Sequence, residues 1–406
     1  MSVPKLRFKE FDGDWSKNTI QSFMDNNYIL DQMDGNHGEL YPKAEEFSIS
    51  GVPYISATDF SNGEVDFSSC KKLPVQRAKL FKKGIARNGD VLFAHNATVG
   101  PVALLKTDLD FVILSTTATY YRCNHQFLSN QYLKNYFASD YFVQQYFGIM
   151  SQSTRNQVPI TTQRKLSISI PSLEEQTKIA SFLSAVDEKI SQLTKKHQLL
   201  SQYKQGMMQK LFSQQIRFKA DDGSEFEEWE EKQLGDVCHF INGRAYKQTE
   251  WEKEGTPVIR LQNLTGSGKE YYYSTLNLPD HQYCYNNDLL YMWSATFGPI
   301  FWQGEKAIFH YHIWKVEVEP QQLDKQYMYY LLDEMTEKMK SSLNGSTMLH
   351  VTKQGMESTK KNLPSIEEQT KIANFLSAID QKIDVVKEQL EQAKLWKKGL
   401  LQQMFV

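Results

Sequence analysis

A block of twenty residues occurs twice in this chain of 406. Residues 171–190 read PSLEEQTKIASFLSAVDEKI and residues 364–383 read PSIEEQTKIANFLSAIDQKI, identical at sixteen positions with an offset of 193. The offset runs on without a gap to the last residues, pairing Tyr203 with Trp396, Gly206 with Gly399 and Phe212 with Phe405. Agreement of that length is a duplication, so the chain is expected to fold as two related parts.

The repeated block reads as a long helix. Ser172 and Glu175, and again Ser365 and Glu368, have the spacing of capping boxes, each just after a proline. Beyond them, Ile179, Leu183, Val186, Ile190, Leu193, His197, Leu200, Lys204, Met207 and Leu211 step alternately by four and three. The second copy keeps the register through Ile372, Leu376, Ile379, Ile383, Val386, Leu390, Ala393, Lys397, Leu400 and Met404. A heptad stripe of this length predicts a coiled-coil seam on helices roughly 60 Å long. Lys204 and Lys397 interrupt the seam at equivalent places, where they either fix register or snorkel past the edge.

The segments between the helices are related more weakly. NGDVLFAHNATVGPV at 88–102 and NNDLLYMWSATFGPI at 286–300 share seven of fifteen residues at an offset of 198. Gly51-Val-Pro-Tyr-Ile parallels Gly255-Thr-Pro-Val-Ile, and Leu6-Arg-Phe-Lys parallels Ile216-Arg-Phe-Lys. Both segments hold short β-rich runs (Asp90–Ala94, Val112–Arg122, Pro257–Leu261, Ile308–Val318) between turn residues. Each then has a helical stretch rich in Tyr and Phe, Gln131–Phe147 and Lys325–Leu343. The expected class is α+β: two globular domains separated by two long antiparallel coiled-coil helices, with an internal pseudo-two-fold axis. The expected divisions are 1–170, 171–214, 215–363 and 364–406. Two heads held apart by paired helices suggest a ruler for a bipartite target.

Charge is informative once divided. The formal total is −2, which excludes a uniformly basic binder of nucleic acid. Residues 1–170 carry a net +2 and residues 215–363 a net −6. Between Phe67 and Gly89 there are seven basic residues and no acid: Lys71, Lys72, Arg77, Lys79, Lys82, Lys83 and Arg87. From Phe111 to Leu173 Asp140 is the only acid, against Arg122, Lys134, Arg155, Arg164 and Lys165. Such runs suit a phosphate-facing surface or an ordinary solvated one. The acidity of the second segment is concentrated in its lead-in, Asp221 to Glu231, expected to face away from a polyanion.

Catalytic signatures are missing. There is no N-P-P-Y or D-P-P-Y tetrapeptide of the kind that holds a flipped base for methylation. Gly266-Ser-Gly-Lys269 lacks the leading glycine of a phosphate loop and has Glu270 where Ser or Thr belongs, so it reads as a turn. His310 and His312 have no partner spacing for a metal. Cys70, Cys123, Cys238 and Cys284 form no C-x-x-C pair, no apolar run reaches 18 residues and no secretory leader is evident. Reduced thiols, no membrane span and a cytoplasmic location are expected.

The PS(L/I)EEQTKIA-x-FL-x-x-(V/I)D-x-KI block, present near mid-chain and again at the end, resembles the conserved regions of type I restriction–modification specificity subunits. The resemblance covers the whole chain, with weaker support from the turns Ala97–Pro101 and Ala295–Pro299. It implies two target recognition domains, each reading one half of a bipartite double-stranded DNA site, and helices that set the spacer. It also implies docking of two modification subunits, which carry S-adenosylmethionine and methylate adenine N6. Two restriction subunits, using ATP and Mg, complete such a complex. No catalysis, metal or cofactor is expected in this chain.

Candidate DNA contacts follow from side-chain type and place. In the first half they are Arg77, Lys79, His95, Asn96, Thr98, Ser153, Thr154, Arg155, Asn156 and Gln157. In the second they are Arg244, Arg260, Asn263, Ser294, Thr296, Ser346, Thr347, His350 and Lys353. The spacer seam is expected from Ile179, Leu183, Val186, Ile190, Leu193, Leu200, Ile372, Leu376, Ile379, Ile383, Val386 and Leu390. Two rival readings are a coiled-coil scaffold gripping proteins or glycans, and a stand-alone nuclease or methyltransferase. Salt dependence of binding separates the first from a DNA reader, and methyl transfer by the purified chain identifies the second.

Overall fold

A computed structural model describes residues 3–36, 38–150, 156–294, 296–342 and 351–406. The chain forms two compact units. One is Met1–Thr194 together with Glu388–Val406, and the other is Lys195–Lys387. Both unit boundaries fall inside long helices, Leu173–Phe212 and Ile366–Gln403. Each unit therefore contains part of both helices. In the first, the start of the central helix meets the end of the C-terminal helix; in the second, the relation is reversed.

The expected seam is present in each unit. Ile179, Leu183, Val186 and Leu193 are buried in the first, as is Leu390. Ile372, Leu376, Ile379 and Val386 are buried in the second, while Ile190, Leu200 and Ile383 are half-buried. One position differs from expectation: Met208 is buried in place of Met207, which is half-buried. A 3.6-residue helix drifts against a seven-residue repeat, so the buried face moves on by a residue near the end. Lys204 reaches Asp380 at 2.7 Å across the helix pair, and Lys397 reaches Asp187 at 2.5 Å. These pairs occupy equivalent repeat positions, so both lysines bond across the helix pair and do not merely reach to solvent.

The capping boxes form only by half. Ser172 Oγ accepts from the Glu175 amide at 3.3 Å, and Ser365 Oγ from the Glu368 amide at 3.4 Å. The two glutamates do not turn back to the cap. Glu175 accepts from Arg7 Nε and Nη2 at 2.8 and 2.7 Å. Glu368 accepts from Arg217 Nε and Nη2 at 3.1 and 2.8 Å and from the Trp229 indole at 3.1 Å. Both carboxylates are buried, and a buried carboxylate requires a countercharge that a helix N-terminus only partly supplies. The next residue is matched as well. Gln176 spans Pro171 O, Phe127 O and the Ser129 amide, while Gln369 spans Pro364 O, Gln322 O and the Asp324 amide. The repeated Glu-Gln pair thus ties each long helix to its own unit.

Among the described residues each unit holds three sheets of matching topology, the smallest being the pair Ser16–Thr19 with Ser167–Ile170 in the first and Glu230–Gln233 with Lys360–Leu363 in the second. In the first, Val52–Ile55 runs parallel to Val112–Leu114 between Lys71–Leu73 and Ile85–Ala86. In the second, Thr256–Ile259 runs parallel to Ala307–Phe309 between Tyr272–Ser274 and Tyr283–Cys284. The larger sheets share the order Ile29–Asp34, Ala118–Cys123, Val91–Asn96, Thr98–Leu104 and Cys238–Asn242, Ile313–Val318, Leu289–Ser294, Thr296–Phe301. The first unit adds Glu64–Val65 and Phe60–Ser61 to its edge.

Two of the β-rich runs each supply two strands. Val112–Arg122 and Ile308–Val318 each leave one sheet, turn at Ser115–Thr117 or His310–His312, and enter the other. A glycine sits beneath each turn for lack of room. A Cβ on Gly35 would lie 2.3 Å from Ser115 backbone, and one on Gly243 would lie 2.3 Å from His310 O. The aromatic helical stretch of the first unit is likewise two helices, Asn130–Phe137 and Asp140–Met150, whereas Lys325–Ser342 is continuous. Cys70, Cys123, Cys238 and Cys284 are buried and unpaired.

Candidate nucleic-acid interface

The turns that join the two sheets lie beside the tips of the hairpins Val91–Leu104 and Leu289–Phe301. In the first unit the His95 amide donates to Thr117 O at 3.0 Å. In the second the Trp293 amide donates to His312 O at 3.2 Å. Turn and hairpin tip thus form one edge, built twice on the same backbone.

In the first unit this edge is small and hydroxylic. Ala97 takes a left-handed conformation, φ 62°, at the hairpin tip. Its strain is offset by neighbours: the Ala97 amide donates to Asn156 O, and Asn156 Nδ2 donates to Ala97 O, both at 3.0 Å. Asn96 bridges Gln157, and the Val158 amide donates to His95 O at 2.8 Å. His95, Asn96, Thr98, Asn156 and Gln157, far apart in sequence, are therefore brought together. His95 is buried, so Asn96, Thr98, Asn156 and Gln157 are the groups at the surface. Ser153, Thr154 and Arg155 lie outside the described residues.

The basic residues of this unit are divided among other tasks. Arg77 sits on the short helix Val75–Ala78 after the edge strand Lys71–Leu73, bonded to Glu46 and to Leu40 O and lying 4.9 Å over Phe81; Lys79 just after the helix is exposed. Arg122 donates to Asp90 at 3.0 and 2.7 Å, and burial still raises the Asp90 pKa against that cation. Lys134 meets Asp187 at 3.3 Å, its pKa lowered by burial. Arg164 donates to Gln32. Much of the basic charge in the acid-poor run from Phe111 to Leu173 is thus consumed inside the fold. The carboxylates that balance it come from elsewhere in the chain, which a count along the sequence does not register.

In the second unit the same edge is aromatic and cationic. The Arg244 guanidinium lies 4.3 Å over Tyr246 and bonds Glu250. Tyr246 stacks on Trp251 at 4.9 Å, and Trp251 meets Tyr272 at 4.5 Å and His310 at 6.1 Å. Arg260 covers the Tyr272 ring at 4.2 Å. Asn263 is spent on the fold, accepting from the Arg260 amide at 2.9 Å and donating to Glu270 O at 2.9 Å. Thr296 is exposed at the tip and Ser294 is buried. Lys353 is half-buried, 3.4 Å from Glu357, on the separate helix Lys353–Glu357. Ser346, Thr347 and His350 lie outside the described residues, as does Ala295 of the tip.

Composition-based reasoning missed the rings. Trp251, Tyr272, His310, Tyr311 and His312 became one surface only through strand pairing. The interleaving of Arg244 and Arg260 with Tyr and Trp was the available signal. Among the described residues no group of three His, Cys, Asp or Glu is placed to hold a metal, and no helix is long and apolar enough to cross a membrane. The acidic lead-in packs at the start of the C-terminal helix, where Lys371 bonds Asp221 at 2.6 Å and Lys219 O at 2.7 Å.

Comparison with known proteins agrees with this architecture. The MjaX specificity subunit of a type I restriction enzyme from Methanocaldococcus jannaschii is 29% identical over 365 residues, covering 86% of this chain and 85% of the relative. The MjaVIII specificity subunit of the same organism is 28% identical over 280 residues, 62% of this chain and 65% of the relative. Among solved structures, the type I restriction–modification S subunit from M. genitalium superposes with a TM-score of 0.57 at 18% identity, covering 100% of this chain and 99% of that one. A chain from a study of type I restriction–modification complex assembly gives 0.59 at 20% identity, covering 95% and 96%. The family described as type I restriction modification DNA specificity domain matches twice, over residues 33–201 and 226–395. With two copies of that domain filling most of its length, the chain belongs to the type I restriction–modification DNA specificity family.

Proposed function

We propose that this chain is the non-catalytic DNA-reading subunit of a type I restriction–modification complex, with each unit reading one half of a bipartite site. Residues 1–170 and 215–363 act as the reading heads, and the helical segments 171–214 and 364–406 set the spacer between half-sites. The helices also dock two modification subunits, which bring S-adenosylmethionine to adenine N6. Two restriction subunits, supplied with ATP and Mg, join them. Asn96, Thr98, Asn156 and Gln157 contact one half-site; Arg244, Arg260 and Thr296 contact the other.

One observation carries this reading. The same backbone edge occurs in both units with different chemistry, Ser115-Thr-Thr in the first and His310-Tyr-His in the second. Duplicated scaffolds with divergent edges are what two readers of unlike half-sites require. The test is a map of methylated adenines in DNA from cells that express this chain with its modification partner. Two specific half-sites around an unspecified spacer are expected. A single uninterrupted motif, or methylation that is unchanged when this chain is omitted, refutes the reading.

A further inference from the structure

The turn His310-Tyr311-His312 presents an exposed tyrosine ring, packed along one side by His310, His312 and Trp293. Its backbone is held at every side. The His310 amide donates to Ile259 O at 2.9 Å, the Tyr311 amide to Arg244 O at 3.1 Å, and the Ile313 amide to His310 O at 2.9 Å. The Trp293 indole donates to Tyr311 O at 2.9 Å. The rings of His310 and His312 flank Tyr311 at 4.5 and 3.8 Å. Tyr311 itself is 40% exposed.

The first unit builds the same turn without a ring. The Ser115 amide donates to Ile55 O at 2.8 Å, as His310 does to Ile259, and the Ala118 amide to Ser115 O at 3.3 Å, as Ile313 does to His310. That correspondence sets Thr116 against Tyr311. There the flanking hydroxyls bond each other, Ser115 Oγ to Thr117 Oγ1 at 2.6 Å. With threonine in that place the same backbone turn forms, so the turn itself does not require a ring.

The surroundings point to nucleic acid. Arg244 and Arg260 lie on the same surface, each held over a ring, which suits a polyanion. An aromatic side chain fixed on a rigid turn stacks on a base with little further loss of freedom. Proteins that insert apolar wedges between base steps use such side chains. We infer that Tyr311 is a wedge that enters the DNA of the second unit's half-site and unstacks one base step, a device the first unit lacks. This rests on the reading of the two units as DNA-recognition heads.

The test uses the chain assembled with its modification partner, on duplexes carrying 2-aminopurine at one position at a time through the second half-site. The methylated adenine is left unsubstituted. Binding is expected to raise the fluorescence severalfold at one base step. Tyr311→Thr, which copies the first unit and so keeps the turn, abolishes that rise and weakens binding about tenfold. Tyr311→Phe keeps both. Protection of the first half-site is unaffected by either variant. Wild-type protection of both half-sites with no brightening at any position overturns the wedge alone, as does Tyr311→Thr binding and brightening like wild type. A wild-type complex that protects no second half-site overturns the recognition reading, and the wedge with it.

Discussion

Replacing Arg217 with alanine should unseat the start of the C-terminal helix. Glu368 is fully buried and accepts three hydrogen bonds, two from Arg217 and one from Trp229. In the variant it keeps only the neutral indole. Breaking a buried ion pair from one side costs about 3–5 kcal/mol, because the remaining charge is left uncompensated. The guanidinium side chain is 19% exposed, so water relieves part of this and about 3 kcal/mol is expected. Arg217 Nη2 also donates to Phe226 O and Glu227 O, so the lead-in segment should loosen at the same time. For a unit of this size the loss corresponds to about 10 °C in melting temperature. Glu368→Gln, which keeps an acceptor in place, should cost less, about 1–2 kcal/mol. The double variant Arg217→Met, Glu368→Leu removes both charges and should recover most of the loss. Urea unfolding followed by circular dichroism gives the energies, and hydrogen exchange across residues 215–231 and 364–376 localises them. Arg217→Ala within about 0.5 kcal/mol of wild type, or a double variant no better than the single, refutes the argument. Arg7→Ala should act on Glu175 in the same way, with its exchange signature confined to the first unit.

Three further outcomes are expected. Lys204→Met and Asp380→Asn should each cost about 1–2 kcal/mol, with a coupling of about 1 kcal/mol in a double-mutant cycle, since Tyr330 also donates to Asp380; additive effects contradict the cross-helix role. Burial, with His312 and Arg260 nearby, lowers the His310 pKa to about 4, below its ordinary 6.5. The unfolded chain therefore binds a proton there before the folded chain does, so the second unit should lose stability as pH falls from about 6.5 to about 4. His310→Asn should flatten that part of the curve, and an unchanged pH slope of the urea midpoint counts against it. Finally, one heptad inserted into both long helices adds about 10 Å, or about three base pairs, and should lengthen the methylated spacer without changing either half-site. Unchanged spacing in the methylation map defeats the ruler.

The long helices were legible because their information is local and periodic. Seam residues such as Leu183 and Leu376 declare themselves by spacing, and the duplication declares that two related units exist. The partner of Glu175 was not legible: the Ser-x-x-Glu spacing fits a capping box, while the true partner, Arg7, lies 168 residues away. The β-rich runs at 112–122 and 308–318 were legible, but propensity does not mark where the chain passes from one sheet to the other. The basic run after Phe111 read as a surface because charge counted along a chain ignores acids such as Asp90 and Asp187 that fold against it.

What the amino-acid order determined by itself was the twofold plan: repeated helices, a shared α+β unit and a family. Those follow from periodicity and internal identity, which survive without any knowledge of contacts. Tertiary structure alone decided that Asn156 and Gln157 join Asn96 and Thr98 at one hairpin tip, and that a turn of the second unit lifts Tyr311 out among arginines and imidazoles. Strand pairing brings residues together across tens of positions, and only the folded register says which side chains share an edge.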